Sequence, residues 1–158
     1  MADLSSVATG PDLRWMELAM EQARLALDRD EVPVGAVVVD DSGRHWSDGN
    51  RTRKLGQPGA HGEKLAMEAA CRDRGDWRLS GCTLYTTLEP CLMCAGMAVL
   101  ARVDRIVYGA WDKRFGALGS VCDVLDMPGL NHYPQLLGGV MAAESSQLLR
   151  GFFRSHRR

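Results

Sequence analysis

No stretch of the chain reaches the ~18 consecutive apolar residues of a membrane-spanning helix, so no membrane partner is expected. The opening residues Met1 to Ser6 have neither a basic start nor an apolar run, which leaves no secretory signal to read. Cysteine is sparse and odd in number. Of the five residues, two fall in one short motif considered below, and the other three cannot all pair. A disulfide framework is therefore not expected, and a reducing, cytoplasmic location is. Cys71, Cys82 and Cys122 read as small buried apolar residues. There is no internal repeat and no linker-like stretch, so 158 residues make one domain with room for a real core. Net charge is nearly absent as well, −1 overall, but this hides an asymmetry. Residues 150–158 carry four arginines, one histidine and no acid, against a weakly acidic body. Such a tail fits a local anionic contact.

What is present is an alternation of helical and extended patterns. Residues 1–10 read as a disordered lead and residues 11–158 as the single domain. Pro11 to Leu27 has helical periodicity, with Pro in the first turn and Trp15, Leu18, Ala19 and Ala26 on one face. Val34 to Val39 is a continuous β-branched run, a buried strand. Asp40-Asp41-Ser42-Gly43 is a turn and Arg44 to Asp48 its hairpin partner. Asn50 to Ala60 reads as loop. His61 to Cys71 is a helix with Leu65, Ala66 and Ala69 inward, and Thr83 to Thr87 a strand. Cys91 to Ala101 is a helix with Met93, Met97 and Leu100 at helical spacing, the methionines expected in the core. Asp104 to Tyr108 is a strand, Trp111 to Asn131 is irregular, and Gln135 to Met141 is a short edge strand. Ala143 to Arg154 forms a final helix carrying Leu148, Leu149, Phe152 and Phe153. This order is that of a three-layer α/β sheet.

Chemistry concentrates in His61-Gly62-Glu63 and Pro90-Cys91-Leu92-Met93-Cys94. His61, Cys91 and Cys94 offer an imidazole and two thiolates, a donor set suited to Zn2+ with one position left for water. Zinc lowers the pKa of such a water to about 7. Glu63, two residues beyond His61, can take that water's proton and return it to a leaving group, help worth ~10²–10⁴ in rate. Placing Cys91 and Cys94 in the first turn of a helix aims N–H groups and the positive dipole end at the thiolates. Cys-x-x-Cys alone is a weak signal. It leaves open a closed structural zinc site completed by Cys71, Cys82 or Cys122. It also leaves open a redox dithiol, against which the lack of a Trp-Cys-Gly-Pro context argues.

Together these motifs resemble those of the cytidine-deaminase-like superfamily, whose H-x-E and P-C-x-x-C pattern belongs to zinc deaminases acting on cytosine or adenine. Within it, the chain is similar to bacterial tRNA-specific adenosine deaminases from Trp15 to Arg158. The similarity runs through Glu31 to Val39, Gly49 to Arg51, His61 to Glu63, Thr83 to Gly96 and Gly109 to Asp112. It continues through Gly116 to Ser120, Pro128 to His132 and Phe152 to Arg154. The zinc motif is common to the superfamily; the stretches beyond residue 108 and the Phe-Phe-Arg ending point to the tRNA enzymes. The resemblance implies a three-layer α/β/α fold around a mixed five-stranded sheet, and a single zinc deaminase domain ending in a basic helix. It implies a homodimer with the active site near the subunit boundary and one Zn2+ per subunit. The reaction implied is hydrolytic deamination of adenosine to inosine at the tRNA wobble position, by zinc-activated water with Glu63 carrying protons to N1 and the departing ammonia. Asn50 would bind the target nucleotide and Asp112 the nucleic acid beside it. Phe152, Phe153 and Arg154 would line the path of the anticodon stem-loop. One phenylalanine is expected to pack and the other to touch RNA, where stacking on an aromatic is worth ~1–3 kcal/mol per base.

The chain departs from the family pattern at a few positions. Gly62 stands where Ala is usual, and Lys64, expected to face solvent, where an apolar residue is common. Trp111 and Phe115 replace polar residues and could either stack on bases or pack. Asn50 and Asp112 could also serve only as turn residues. Arg51, Arg53 and Lys54, with Lys113 and Arg114, flank the metal motif and favour a nucleic-acid partner. Two other functions stay open. A deaminase of a free base or nucleoside, of guanine or cytosine type, would not need the basic Phe-Phe-Arg ending. A non-enzymatic, zinc-containing RNA-binding protein would have no use for Glu63.

Overall fold

The computed structural model describes residues 7–156. Residues 1–6, most of the expected N-terminal lead, lie outside the described residues, as do Arg157 and Arg158 of the basic tail. The first helix, α1 (Gly10–Asp28), begins one residue ahead of Pro11. Thr9 caps it: the Thr9 hydroxyl accepts the Asp12 N–H at 3.2 Å, and the Asp12 carboxylate accepts the Thr9 N–H at 3.1 Å. This reciprocal box satisfies two otherwise unpaired donors, so the expected lead gives way to helix cap at Thr9. Then come β1 (Gly35–Val39), β2 (His45–Gly49), α2 (Thr52–Leu55), α3 (Gly62–Arg74) and β3 (Thr83–Leu88). The chain continues through α4 (Leu92–Leu100), β4 (Arg105–Ala110), β5 (Gln135–Leu137) and α5 (Ala142–Ser155). One helical turn, α2, thus interrupts the stretch expected to be loop.

The five strands form one mixed sheet in the order β2-β1-β3-β4-β5. β1 runs antiparallel to β2 and β3, whereas β3, β4 and β5 are parallel. A parallel pair needs a crossover, and α4 supplies it between β3 and β4. Leu88 and Ala110 are register partners at the ends of those strands. The segments that follow, Glu89 to Cys91 and Trp111 to Asp112, therefore leave the sheet side by side. The carboxyl ends of parallel strands are where α/β sheets bind ligands.

Strand side chains alternate between faces, and both faces are covered. Ala36, Val38, Leu84, Ile106 and Tyr108 meet Ala66, Met67 and Ala70 of α3 and Ala95 and Ala98 of α4. Val37, Val39, Tyr85 and Val107 meet Met16 and Ala19 of α1, and α5 lies beside α1. The three-layer α/β/α architecture is the one expected. The helix faces are turned, however. In α1 the buried residues are Asp12, Met16, Ala19, Met20, Ala23 and Ala26, with Trp15 and Leu18 only partly covered. In α3, Leu65 and Ala69 are half-buried while Ala66, Met67 and Ala70 are fully buried. In α4 the buried face is Cys94, Ala95, Ala98 and Val99. Leu92, Met93 and Leu100 are 61%, 40% and 69% exposed, and Met97 is only partly buried. Small residues let helix backbones approach the sheet closely, so the alanines face inward and the longer side chains turn away.

An ion pair between buried Asp12 and half-buried Arg105 locks α1 to β4. Asp12 accepts two hydrogen bonds from the Arg105 guanidinium, at 2.6 and 2.8 Å, and one from the Tyr85 hydroxyl at 2.8 Å. Burial alone would raise the Asp12 carboxyl. The Arg105 guanidinium, the Thr9 N–H and the Tyr85 hydroxyl outweigh it and hold the group well below the usual carboxylate range. Among the described residues no helix is long and apolar enough to cross a membrane.

Candidate active site

His61 is the N-cap of α3 and Cys91 the N-cap of α4, so two helix starts converge on one point. His61 Nδ1 lies 3.5 Å from Cys91 Sγ and 3.6 Å from Cys94 Sγ, and the three donors all lie within 4.8 Å of one another. Tetrahedral zinc with ordinary Zn–N and Zn–S bonds separates such donors by about 3.6 Å, so the set fits Zn2+. None of the remaining cysteines completes a closed site. Cys82 is buried and accepts from Arg74, half-buried Cys71 donates to the Trp77 carbonyl, and Cys122 is exposed rather than buried as expected. Among these donors, Cys91 is pushed down by the hydrogen bond from Cys94 and by His61. Cys94 is pushed up by that same bond and by burial, and the Cys91 thiolate raises His61. Zn2+ held by this set would take both sulfurs as thiolates, against the upward push on Cys94.

Glu63, on the first turn of α3, is 4% exposed, and its Oε1 is buried without a hydrogen-bond partner. Burial raises its carboxyl above the ordinary value, and the Cys91 charge adds to that. A cavity of about 690 Å³ opens over this group, with His61, Glu63 and Cys91 in its lining. Asn50 and Thr52 contribute from the end of β2 and the start of α2, Trp111 to Phe115 from beyond β4, and Leu149, Arg150 and Phe153 from α5.

Asn50 is buried, and its Oδ1 accepts the Gly62 N–H at 2.8 Å. It thereby holds the peptide between His61 and Glu63. A Cβ on Gly62 would lie 3.0 Å from the Asp48 carbonyl oxygen and 3.1 Å from Gly49 Cα. Main chain of β2 presses on this turn, so glycine suits it. Lys64 does not extend freely into solvent as expected. It is 31% exposed and ion-paired with Glu68, one turn on.

The other residues expected at the site divide. Asp112 lines the cavity and also caps a turn, its Oδ1 accepting the N–H groups of Arg114 at 2.9 Å and Phe115 at 3.2 Å. Trp111 packs on the core, whereas Phe115 is 68% exposed at the cavity. Phe152 is buried and lies outside the cavity lining, which removes it from direct contact with a ligand there. Phe153 is 47% exposed and lines the cavity. Arg154 is exposed but also lies outside the lining. Arg51 and Arg53 are engaged by Asp48 and Asp30, while Lys113 and Arg114 stand in the cavity wall.

Two buried acids were not marked out by sequence. Glu89, 1% exposed, accepts the Asp112 N–H at 3.2 Å and the Ser120 hydroxyl on one oxygen. Its other oxygen accepts the N–H groups of Leu118 at 3.0 Å and Ser120 at 3.2 Å. Glu31, fully buried, accepts the Arg53 and Lys54 N–H groups, each at 2.9 Å, and so fastens α2. The only local signal was an acid set against an apolar strand.

Three metal donors beside a cavity, with a buried carboxylate that is not one of the donors in the same lining, fit a catalytic rather than a structural zinc centre. On this sheet they mark the cytidine-deaminase-like class of zinc hydrolases. The chain belongs to the family of the cytidine and deoxycytidylate deaminase zinc-binding region, which matches residues 10–110. It is 45% identical over 143 residues to the tRNA-specific adenosine deaminase of Agrobacterium fabrum, covering 90% of this chain and 94% of that one. It is 40% identical over 148 residues to the tRNA-specific adenosine deaminase of Bacillus subtilis, covering 93% and 91%. A solved structure from work on A-to-I editing by tRNA:A34 deaminases at the wobble position of transfer RNA superposes with a TM-score of 0.83. It is 44% identical and covers 86% of this chain and 99% of that one. A guanine deaminase from Nitrosomonas europaea is less similar, at TM-score 0.77 and 26% identity, with 89% and 83% covered.

Proposed function

We propose that this protein hydrolyses adenosine to inosine and ammonia at the wobble position of tRNA, acting on the anticodon stem-loop. The observation that carries this is the buried Glu63 carboxylate, its Oε1 without a hydrogen-bond partner, beside a three-donor zinc cluster, in a cavity that also holds Lys113, Arg114, Arg150 and Phe153. Zn2+ held by His61, Cys91 and Cys94 would supply the Lewis acidity that makes water reactive at neutral pH. Glu63 takes a proton from the attacking water and delivers protons to adenine N1 and to the departing amine. Burial, by raising this carboxyl, suits it to give protons as well as take them. Asn50, its oxygen committed to Gly62, offers its amide N–H groups to the nucleotide. Asp112 contacts the nucleic acid through the oxygen that caps no turn. Phe153 provides a stacking face, Phe152 holds α5 in place by packing, and Arg154 adds a phosphate contact outside the cavity.

The outward apolar face of α4, with Leu92, Met93 and Leu100 exposed, supports a homodimer, since contiguous exposed apolar surface marks an association site. Leu92→Glu combined with Leu100→Glu should shift sedimentation from dimer to monomer. The enzyme would meet its tRNA in the cytoplasm. The deciding assay is inosine formation in an anticodon stem-loop with adenosine at the wobble position, with free adenosine, cytidine and guanine in parallel. Conversion of the stem-loop alone is expected. Conversion of a free base or nucleoside with the stem-loop untouched would overturn the tRNA assignment.

A further inference from the structure

We propose that Phe115 is a stacking platform for a nucleotide flanking the target adenosine, and so a specificity determinant of the reaction. This rests on the tRNA function proposed above. A phenylalanine ring gains most of its free energy from burial, yet Phe115 is 68% exposed at the cavity. A loose loop does not explain that exposure. The Phe115 N–H is held by Asp112 Oδ1 at 3.2 Å, and the Gly116 N–H by the Asp112 carbonyl at 2.9 Å. Glu89 in turn anchors the Asp112 N–H from beneath. A Cβ on Gly116 would come within 2.5 Å of the Glu89 carboxylate, so the turn is seated closely on it. A ring presented on a pinned turn loses little freedom when a base stacks on it.

The surroundings fit nucleic acid. Lys113 and Arg114 precede Phe115 in the same wall, and neither forms an ion pair among the described residues. Exposed aromatics beside cations form the usual platform for single-stranded bases, with the cations meeting the backbone. Trp111, four residues earlier, also borders the cavity but is half-buried against the core, so Phe115 offers the more open ring. The target adenine itself must reach buried Glu63. Phe115, with most of its surface open to solvent, meets a neighbouring nucleotide instead.

The test uses zinc-loaded protein and stem-loops carrying 2-aminopurine on the 5′ or the 3′ side of the target. Wild-type protein should quench one of the two probes, Phe115→Ala should restore its fluorescence, and Phe115→Tyr should quench it again. Phe115→Ala should raise KM for the stem-loop about 5- to 20-fold, the lower part of the range for one stacked base, with kcat near wild type. Unchanged KM and unchanged quenching in Phe115→Ala would overturn the inference while leaving the deaminase intact. A change in subunit association without a change in quenching would overturn it too, assigning Phe115 to a protein contact. If wild-type protein makes no inosine in the stem-loop, the tRNA function itself fails, and this inference with it.

Discussion

Replacing Glu89 by glutamine tests whether one buried carboxylate holds the substrate side of the cavity in place. Its two oxygens serve four donors: the N–H groups of Asp112, Leu118 and Ser120, and the Ser120 hydroxyl. An amide keeps the shape but exchanges one acceptor for an NH2 donor. If that NH2 took the oxygen position facing Leu118 and Ser120, two main-chain N–H groups would oppose it. It therefore takes the other position, where the Ser120 hydroxyl can rotate to accept but the Asp112 N–H cannot. One buried donor is orphaned, and the remaining bonds lose their charge assistance. The cost is about 2 kcal/mol, which in a chain of this size lowers Tm by about 4–8 °C. Calorimetry of the zinc-loaded variant should show that drop. Because Asp112 to Phe115 ride on this anchor, KM for the stem-loop should rise, while the zinc content stays at one per subunit. A Glu89→Gln protein that melts within about 1 °C of wild type and keeps its KM would refute the reasoning.

Three further outcomes follow from the geometry. Glu63→Ala should lower deamination by ~10²–10⁴, while metal analysis still finds one zinc per subunit; loss of the metal would instead make Glu63 a ligand. Cys91→Ser should lower zinc content and activity together, as should dialysis against a chelator, with activity returning when Zn2+ is restored only to the unmutated protein. Arg105→Ala leaves Asp12 buried without its cation and should cost about 3 kcal/mol at neutral pH. The folded-state pKa of Asp12 lies below its unfolded value. The stability it contributes is therefore present above the unfolded pKa of about 4 and is lost as pH falls through the folded pKa. The gap between wild type and Arg105→Ala in urea melts should accordingly narrow below about pH 4; a gap independent of pH would exclude this ion pair as its source.

The parts of this protein legible in its sequence are those set by residue type at short range. His61, Glu63, Cys91 and Cys94 declare a zinc hydrolase because donor softness and a nearby non-ligand carboxylate are properties of the side chains themselves. The β-branched run before Asp40 and the helical repeats marked nearly every element, since backbone preference is local. Other features depended on partners distant in the chain. Periodicity says which residues share a helix face, but not which face meets the sheet. Close approach through alanines turned Leu92, Met93 and Leu100 outward and left Trp15 only partly covered. Phe152 and Phe153 are neighbours of one type, separated only by the rotation between successive helical residues. Packing against the body of the protein buried the first and left the second at the cavity. Asp112 became a turn cap as well as a cavity residue because the N–H groups of Arg114 and Phe115 fold back onto it. Glu89 acquired its partners 23 to 31 residues along the chain. A carboxylate can remain buried only where such donors converge on it, and that convergence exists only in the folded protein.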